Sequence, residues 1–271
     1  MMLDGDFFES LSDISFGDMY TRQVDPNIDV IEKVYNSIGR TPILFIETSR
    51  IIRLLNIVRS LNFDVIIICH NSDVTLNDNN LKSHIPSNVI RLWCQNYNGP
   101  SDDIIRPLPI GLERRQWFPE QNKQKVLLDI KKDGVRDDKC YMNFNISTNP
   151  VRLQWRDHLI NKEFIYSEML GNGNDYNLYC EKMTQYKFTI SPPGNGIDCH
   201  RNWESLYLNC VPIIQRSNFT ENIFGDMNVI LVDSYLDITK ELLDNYESKF
   251  NVEKLSTEYW EDIIKKDIKK I

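Results

Sequence analysis

Short apolar runs alternate with amphipathic stretches along the first half of the chain. The runs ILFIE at 43–47, DVIIIC at 64–69 and VIRLWC at 89–94 have the length of strands and are followed by polar residues. Residues 29–37 and 48–61 carry apolar side chains at helical intervals, and the second stretch begins at a Thr/Ser cap. Apolar strands separated by helices predict a parallel sheet that is covered on both faces.

Three other parts of this half are less regular. Residues 1–25 show little periodicity and predict a loosely packed lead-in. The sequence PLPIG at 107–111 predicts a short segment that ends in a turn. Residues 121–139 are charged and lose their apolar pattern after Ile130, which predicts an interdomain region.

The second half repeats the alternation of strands and helices. We therefore predict an α/β protein of two parallel-sheet domains, 1–125 and 126–250, and a C-terminal helix within 251–271 that is a candidate for packing back on the first domain. The predicted elements are a strand at 140–145, a helix at 149–159, a strand at 164–167, a helix at 177–185, a strand–turn–helix–strand unit at 186–215, a strand at 228–232, a helix at 236–246 and an amphipathic helix at 256–271.

The unit at 186–215 carries the most informative chemistry. Its first strand ends in the turn Gly194-Asn195-Gly196, and Asp198 is the expected N-cap of the helix that follows. A glycine turn that leads into a helix presents free N–H groups and a positive dipole end, which suit an anion. Taken alone, the turn could equally be an ordinary helix start, because it does not have the form GxGxxG.

Three polar residues in the first turns of that helix favour a nucleotide diphosphate over a plain helix start. His200 and Glu204 share one helix face, and Arg201 and Glu204 are neighbours. Arginine suits phosphate, and a carboxylate can accept hydrogen bonds from ribose hydroxyls. The alternative is a surface Arg–Glu pair that contributes little.

Polar clusters follow five of the predicted apolar strands. Ligands of parallel sheets bind beyond the carboxyl ends of the strands, so these clusters predict a shared cleft. The alternative is that they are ordinary surface loops. The clusters are Glu47-Thr48, His70 to Asp73, Gln95-Asn96, Asn143 to Asn149, and Gly194 to Glu204.

Three of these clusters hold or precede further candidates. A general base needs a titratable group in the cleft, and Asp73, His70 and Glu47 are the candidates, with Asp73 preferred. Asp73 could instead cap a turn, and His70 could be a satisfied buried residue. In the cluster after residue 142, a strong helix-start signal precedes Arg152, which could meet a phosphate or remain solvated.

Composition and charge narrow the classes of function. The chain has 271 residues with 31 Lys and Arg against 39 Asp and Glu, a net charge of -8, so nucleic-acid binding is not expected. The sequence contains no run of about 20 apolar residues, so no membrane span is predicted. The 6 cysteines form no CxxC pair and are expected to be reduced core thiols in a cytosol-like compartment.

Metal chemistry is not expected either. Asp4-Gly5-Asp6 has the DxD form of metal-dependent sugar transferases, but no predicted strand precedes it. The pair Cys199-His200 lacks partner ligands at zinc-site spacing. We therefore predict no metal site and no obligatory cofactor.

The run YKFTISPPGNGIDCHRNWESLYLNCVPII at 186–214 resembles the signature of the exostosin-like glycosyltransferases. The pieces HNSD at 70–73, QN at 95–96, PLPIGL at 107–112 and NFNISTNPVR at 143–152 look like those of small bacterial and giant-virus relatives. Anchored members of the family have an N-terminal anchor and a stem, whose patterns the sequence does not show, so a Golgi-type role is not expected. Asn209 stands where glycine is common in the family.

The resemblance implies a GT-B architecture, in which two Rossmann-like domains face each other across a cleft, with the nucleotide-sugar on the C-terminal one. It implies inverting transfer from a UDP-sugar to a glycan acceptor without an obligatory metal. The expected location is the cytoplasm, or the host cytoplasm for a viral protein, and the oligomeric state stays open.

Carried over residue by residue, the resemblance places Glu204 on the ribose hydroxyls and the acceptor near His70 to Asp73. The expected donor-binding residues are Gly194, Asn195, Gly196, Asp198, His200, Arg201, Glu204, Arg152, Asn145 and Thr148, and the expected acceptor-side residues are Asn71, Ser72, Gln95 and Asn96.

The sequence thus predicts a glycosyltransferase whose donor is UDP-xylose, UDP-galactose, UDP-GlcNAc, UDP-glucuronate or a similar UDP-sugar. The alternative is a non-catalytic sugar- or nucleotide-binding protein on the same fold. A kinase or epimerase is disfavoured, because no Walker sequence and no GxGxxG follows the first predicted strand.

Overall fold

The computed structural model describes residues 2–18, 23–100, 102–114, 122–168, 175–249 and 251–270. These residues form two compact units. Unit 1 comprises Leu3–Ile110 together with Ser256–Ile271, and unit 2 comprises Gly111–Leu255. The domain ranges 1–125 and 126–250 remain predictions.

Unit 1 is built on a five-stranded sheet in which the strands lie in the order β1-β2-β3-β4-β5 and every pairing is parallel. The predicted strands at 43–47, 64–69 and 89–94 are confirmed to within one residue at each end. The strands are β1 (Ile14–Ser15), β2 (Ile43–Glu47), β3 (Val65–His70), β4 (Val89–Gln95) and β5 (Ile105–Leu108).

Helices cover the two faces of this sheet. On one face, Leu54 and Val58 of α3 belong to the same buried apolar cluster as Leu44 of β2. On the other face, Phe8 of α1 stacks on the ring of His70 with centroids 5.0 Å apart. The helices of unit 1 are α1 (Gly5–Ser10), α2 (Ile28–Ile38), α3 (Ile51–Val58), α4 (Asp78–Leu81) and α11 (Thr257–Lys265).

The prediction of a loosely packed lead-in over residues 1–25 is wrong. Residues 14–15 form the edge strand β1, and Leu3, Phe8 and Phe16 are buried. The reason is that a strand of two residues is too short to show periodicity, so the burial of this segment depends on tertiary contacts rather than on a local pattern.

Unit 2 contains a second five-stranded sheet with the order β10-β9-β8-β6-β7, again wholly parallel. Numbered from its first strand, the order is 2-1-3-4-5, which is that of a doubly wound sheet. The order therefore reverses between β6 and β8, and ligands of such sheets bind beyond the carboxyl ends of the strands at this point. The strands are β6 (Asp137–Met142), β7 (Ile165–Ser167), β8 (Tyr186–Ile190), β9 (Val211–Gln215) and β10 (Ile230–Val232).

The helices of unit 2 confirm most of the pattern-based expectations. The predicted helix at 236–246 is a 3-10 turn at Tyr235–Asp237 followed by α10. Residues 121–139 hold a helix and the start of β6, neither of which was predicted. The helices are α5 (Lys123–Asp129), α6 (Val151–Leu159), α7 (Tyr176–Met183), α8 (His200–Tyr207), α9 (Asn218–Phe224) and α10 (Lys240–Asp244).

Within the described part of the chain, no helix has the length and apolar character required to cross a membrane.

Candidate functional site

The loops that follow β6 and β8 meet where the strand order of unit 2 reverses, and Arg152 of α6 holds them together. Its Nε donates to Pro193 O at 2.8 Å and its Nη2 to Pro192 O at 2.7 Å. Its Nη1 donates to Asn145 O at 2.8 Å and to Thr148 Oγ1 at 2.7 Å. Arg152, Asn145 and Thr148, all predicted donor-binding residues, are thus joined to the loop after β8, and the hydrogen bonds give Arg152 a structural role there.

The glycine turn is explained by this close approach. A Cβ on Gly194 would lie 3.3 Å from Nη2 of Arg152, so a side chain there would crowd the guanidinium. The carbonyl of Gly194 also accepts a hydrogen bond from Asn149 Nδ2 at 3.1 Å. Gly196 is buried and Asn195 is exposed, so the turn presents its middle residue to solvent.

The prediction that Asp198 is the N-cap of α8 is wrong, because Cys199 occupies that position. The Asp198 carboxylate is buried and accepts from the Cys199 N–H at 2.9 Å, from Asn202 Nδ2 at 2.8 Å and from Trp203 Nε1 at 2.9 Å. Asn202 Oδ1 in turn accepts from Ser191 Oγ at 2.6 Å. Asp198 therefore fixes the loop after β8 to helix α8. The contact depends on the side chains of Asn202 and Trp203, about one helical turn further along the chain.

The start of α8 keeps unused capacity to bind an anion. Its N-cap residue makes no side-chain capping hydrogen bond. Arg201, in the first turn, has a buried Nε without a hydrogen-bond partner, and among the described residues it makes no ion pair with a carboxylate. A helix N-terminus without an N-cap side-chain hydrogen bond, beside a guanidinium that makes no ion pair with a described carboxylate, is a favourable site for phosphate.

The electrostatics of Arg201 agree with this. Burial opposes its charge, but Tyr179, Cys199 and Glu204 outweigh burial and raise the pKa of Arg201. Burial also raises the pKa values of Tyr179 and Cys199. These two groups are therefore neutral at pH 7.

Arg201 also acts on the second arginine of the site. Burial and, next, the charge of Arg201 lower the pKa of Arg152 to about 10. Two guanidinium groups therefore interact unfavourably at this edge of the sheet, and a bound anion would relieve both.

Glu204 lies one helical turn after the start of α8 and is 6% exposed. Its Oε1 accepts from the hydroxyl of Tyr176 and its Oε2 from that of Tyr179, both at 3.1 Å. Each carboxylate oxygen can accept a second hydrogen bond, which leaves capacity for a pair of hydroxyl groups. The two tyrosines, which stand one turn apart on α7, were not predicted, although their i, i+3 spacing is visible in the sequence.

His200 is engaged elsewhere. Its Nδ1 lies 2.8 Å from the carbonyl oxygen of Gly111, an acceptor, so this nitrogen carries the proton. Gly111 has φ +68°, a conformation that favours glycine. His200 therefore holds the chain at the beginning of unit 2.

The candidate bases and acceptor-side residues lie at the carboxyl ends of β2, β3 and β4 in unit 1. The two ring nitrogens of His70 face oxygen atoms, Asn71 Oδ1 at 2.8 Å and Pro109 O at 2.9 Å. Asn71 Nδ2 donates to buried Asp18 at 2.8 Å, which fixes the orientation of the amide. Both ring nitrogens of His70 are thus engaged by neighbouring groups, which makes His70 a weaker candidate for taking a substrate proton.

The other polar residues at the carboxyl ends of β3 and β4 form hydrogen bonds with one another. The backbone N–H of Asn71 donates to Gln95 Oε1 at 2.7 Å, and Asn96 Nδ2 donates to the carbonyl of Ser72 at 3.3 Å. Asn71 and Asn96 have φ values of 60° and 56°, which asparagine tolerates better than most residues. The four predicted acceptor-side residues are thus brought together within unit 1.

The two remaining candidate bases differ in exposure. Glu47 is 5% exposed and accepts from Ser49 Oγ at 2.5 Å and from Gln23 Nε2 at 3.3 Å. Asp73 is exposed in the loop after β3. Asp73 is therefore the candidate base that solvent and a substrate could reach most directly within unit 1.

The DxD sequence forms the start of α1. Asp4 is the N-cap of that helix, and its Oδ1 accepts from the N–H of Phe7 at 2.8 Å. Across the described ranges, no group of three or more His, Cys, Asp or Glu is arranged to hold a metal ion.

Comparison with known proteins adds no family to this description, since no protein-family model matches the chain and a search of curated protein sequences finds no significant match.

Proposed function

We propose that this protein is an inverting glycosyltransferase that moves a sugar from a UDP-sugar to a hydroxyl group of a glycan acceptor. The observation that carries the proposal is Arg201, a guanidinium with a buried, unpartnered Nε at the uncapped start of α8. It stands one turn from Glu204, a buried carboxylate with capacity for two hydroxyls. A cation for a diphosphate beside an acceptor for a ribose is the minimum that a nucleotide-sugar site requires.

In the proposed reaction, the acceptor oxygen attacks the anomeric carbon and the bond from that carbon to the diphosphate breaks. UDP leaves with the electron pair, and the acceptor proton passes to a base. Arg201 and the first N–H groups of α8 stabilise the charge that develops on the leaving diphosphate. Arg152 fixes the loops that carry these groups.

The proposal includes the GT-B arrangement that the resemblance to exostosin-like glycosyltransferases implies, in which two α/β domains face a cleft. Asp73 is the proposed base, with Glu47 in reserve, because both ring nitrogens of His70 are engaged by neighbouring groups. If Asp73→Asn retains normal turnover and normal UDP affinity, Asp73 is not the base.

The test is a calorimetric and thermal-shift screen of UDP, GDP and their sugars, with and without EDTA. A ligand that binds the folded state alone raises Tm by mass action. We expect UDP and at least one UDP-sugar to bind regardless of EDTA. Glu204→Gln should weaken UDP binding by about tenfold or more, since a hydrogen bond to a charged group is lost.

The matched control is Glu181→Gln on α7, where an exposed glutamate accepts a hydrogen bond from Asn177 Nδ2 at 2.6 Å. This variant should bind UDP as the wild type does. The proposal fails if no nucleotide raises Tm, or if the control loses as much affinity as Glu204→Gln.

A second candidate is a non-catalytic sugar- or nucleotide-binding protein, which the engagement of His70 and Glu47 by neighbouring groups favours. It predicts the same UDP binding without product. Mass spectrometry of a mixture of UDP-sugars and oligosaccharide acceptors distinguishes the two, because transfer increases the acceptor mass by one sugar residue.

A further inference from the structure

A second carboxylate in unit 2 is held in the same manner as Glu204. Glu168 directly follows β7, is half-buried, and accepts from the hydroxyl of Tyr141 through Oε1 and from that of Tyr166 through Oε2, both at 3.1 Å. Asn143 Nδ2 donates to the Tyr141 hydroxyl at 2.8 Å, which directs its proton toward Glu168. Glu168 therefore also has one unused acceptor position on each oxygen.

The two carboxylates belong to one continuous cluster. The ring of Tyr141, which holds Glu168, lies 6.2 Å from the ring of Tyr179, which holds Glu204. The charge of Arg201 acts on both rings, since it is among the causes that lower the pKa of each phenol against the larger effect of burial. The guanidinium of Arg201 therefore lies close enough to both carboxylate–tyrosine pairs to act on their phenols.

This arrangement matches the charge pattern of a nucleotide-sugar. The ligand has a ribose diol, an anionic diphosphate and a second hydroxylated ring. The protein has Glu204, the cation Arg201 and Glu168. Hydroxyl groups donate to carboxylates, and the diphosphate accepts from the guanidinium.

We propose that Glu168 accepts hydrogen bonds from hydroxyl groups of the transferred sugar, and that the donor is therefore a neutral UDP-sugar rather than a UDP-uronate. The inference rests on the proposed function. A uronate would bring its carboxylate toward that of Glu168, and like charges in a half-buried site repel. The site therefore selects UDP-xylose, UDP-galactose or UDP-GlcNAc over UDP-glucuronate.

The test measures the affinities of wild type and Glu168→Gln for UDP, UDP-xylose and UDP-glucuronate, and for UDP-galactose and UDP-galacturonate. UDP-xylose is UDP-glucuronate without its carboxyl group, so the first pair isolates that charge. Wild type should bind the neutral member at least about tenfold more tightly in the pair whose sugar stereochemistry it accepts. Glu168→Gln should reduce that ratio to about threefold or less and leave UDP affinity unchanged.

Two further variants keep the experiment decisive. Glu163→Gln, an exposed glutamate before β7, is the matched control and should behave as wild type. Tyr166→Phe removes one hydroxyl group that donates to Glu168 but keeps the carboxylate. It should therefore weaken the binding of neutral UDP-sugars without strengthening the binding of UDP-uronates. If Glu168→Gln does not fold, this variant takes its place, and an unchanged affinity for neutral donors overturns the inference.

The outcomes separate the inference from the proposed function. If wild type binds UDP but Glu168→Gln leaves the ratio of neutral to uronate affinity unchanged, Glu168 does not contact the sugar and the inference alone fails. The same holds if wild type prefers the uronate. If wild type binds neither UDP nor any UDP-sugar, both the proposed function and the inference fail.

Discussion

Arg91 of unit 1 and Arg201 of unit 2 both have a buried nitrogen without a hydrogen-bond partner. The two arginines differ, however, in whether the guanidinium forms an ion pair with a described carboxylate. Arg91 Nε donates to Asp267 at 2.6 Å in a partly buried ion pair. Arg201 makes no ion pair with the carboxylates that the structure describes.

This difference shows which polar groups point to a ligand. An arginine that is neutralised within the fold has a structural role, even if one of its donors is unmatched. A buried guanidinium that makes no ion pair within the fold can be stabilised further by a bound anion. Polarity at the end of a strand is therefore a weaker signal than a buried guanidinium that makes no ion pair with the described carboxylates.

Arg152 is a third arginine, and it shows that a position near the candidate site does not by itself indicate contact with a ligand. It stands at the same edge as Arg201, yet its donors go to three carbonyl oxygens and one hydroxyl. Such a residue builds the site and need not contact the ligand.

The largest effect that we predict follows from this structural role. Arg152→Met should lower the free energy of unfolding by about 3 kcal/mol or more, because one buried and three part-buried acceptors lose a charged donor at once. Arg152→Lys should not restore it, since one ammonium group cannot replace a planar fork with donors in several directions. Chemical denaturation monitored by fluorescence measures both.

Arg156, on the same helix, supplies the control. It pairs with Asp157 at the surface, so Arg156→Met should change stability by less than about 0.5 kcal/mol. Equal losses for Arg152→Met and Arg156→Met would contradict the structural role of Arg152.

The next effect separates Arg201 from Arg91 directly. Under the proposed function, Arg201→Met should weaken UDP binding by about 100-fold, since it removes the charged hydrogen bonds proposed for the diphosphate. Its unfolding free energy should change by no more than about 1 kcal/mol, because Arg201 makes no ion pair with a described carboxylate and its Nε has no hydrogen-bond partner to lose. Calorimetry with UDP and denaturation of the same samples give both quantities.

Arg91→Met should show the opposite pattern. It leaves UDP affinity unchanged but costs about 1–2 kcal/mol of stability, because Asp267 loses its partner. If Arg201→Met is the destabilised variant and Arg91→Met the one that fails to bind UDP, the assignment of the two arginines is reversed.

The sequence predicts the fold where burial leaves a strong local pattern. Strands β2 and β3 are apolar up to their last residue, and β4 is apolar except for Arg91 and Gln95. The glycine turn with its polar helix start marks the loop after β8. By contrast, β1 has two residues, and its burial depends on pairing with β2 rather than on its own composition. The local sequence pattern does not show which strands pair with one another.

The candidate site is predictable in its residue types but not in its hydrogen bonds. Arg152, Arg201 and Asp198 all follow a strand in polar clusters, and nothing in their spacing tells a loop-fixing residue from one with an unpaired charge. That distinction depends on where the carbonyls of Pro192 and Pro193 point, which only the folded backbone determines.

The smallest effect concerns asparagines with left-handed backbones. Asn209 follows α8 with φ 57° and is exposed. Glycine adopts this conformation without strain, so Asn209→Gly should change stability by less than about 0.5 kcal/mol. Asn209→Ala should cost about 1 kcal/mol, because a Cβ is disfavoured there and alanine has no compensating side-chain hydrogen bond.

Asn71 has a similar φ of 60°, but its amide bridges His70 and Asp18. Asn71→Gly keeps the backbone conformation and removes the bridge, so it should cost about 2 kcal/mol where Asn209→Gly costs almost nothing. Thermal denaturation of the two glycine variants side by side measures the difference. If both variants are equally stable, the bridge at the end of β3 contributes nothing, and the view that this edge of unit 1 is held by its own side chains has to be abandoned.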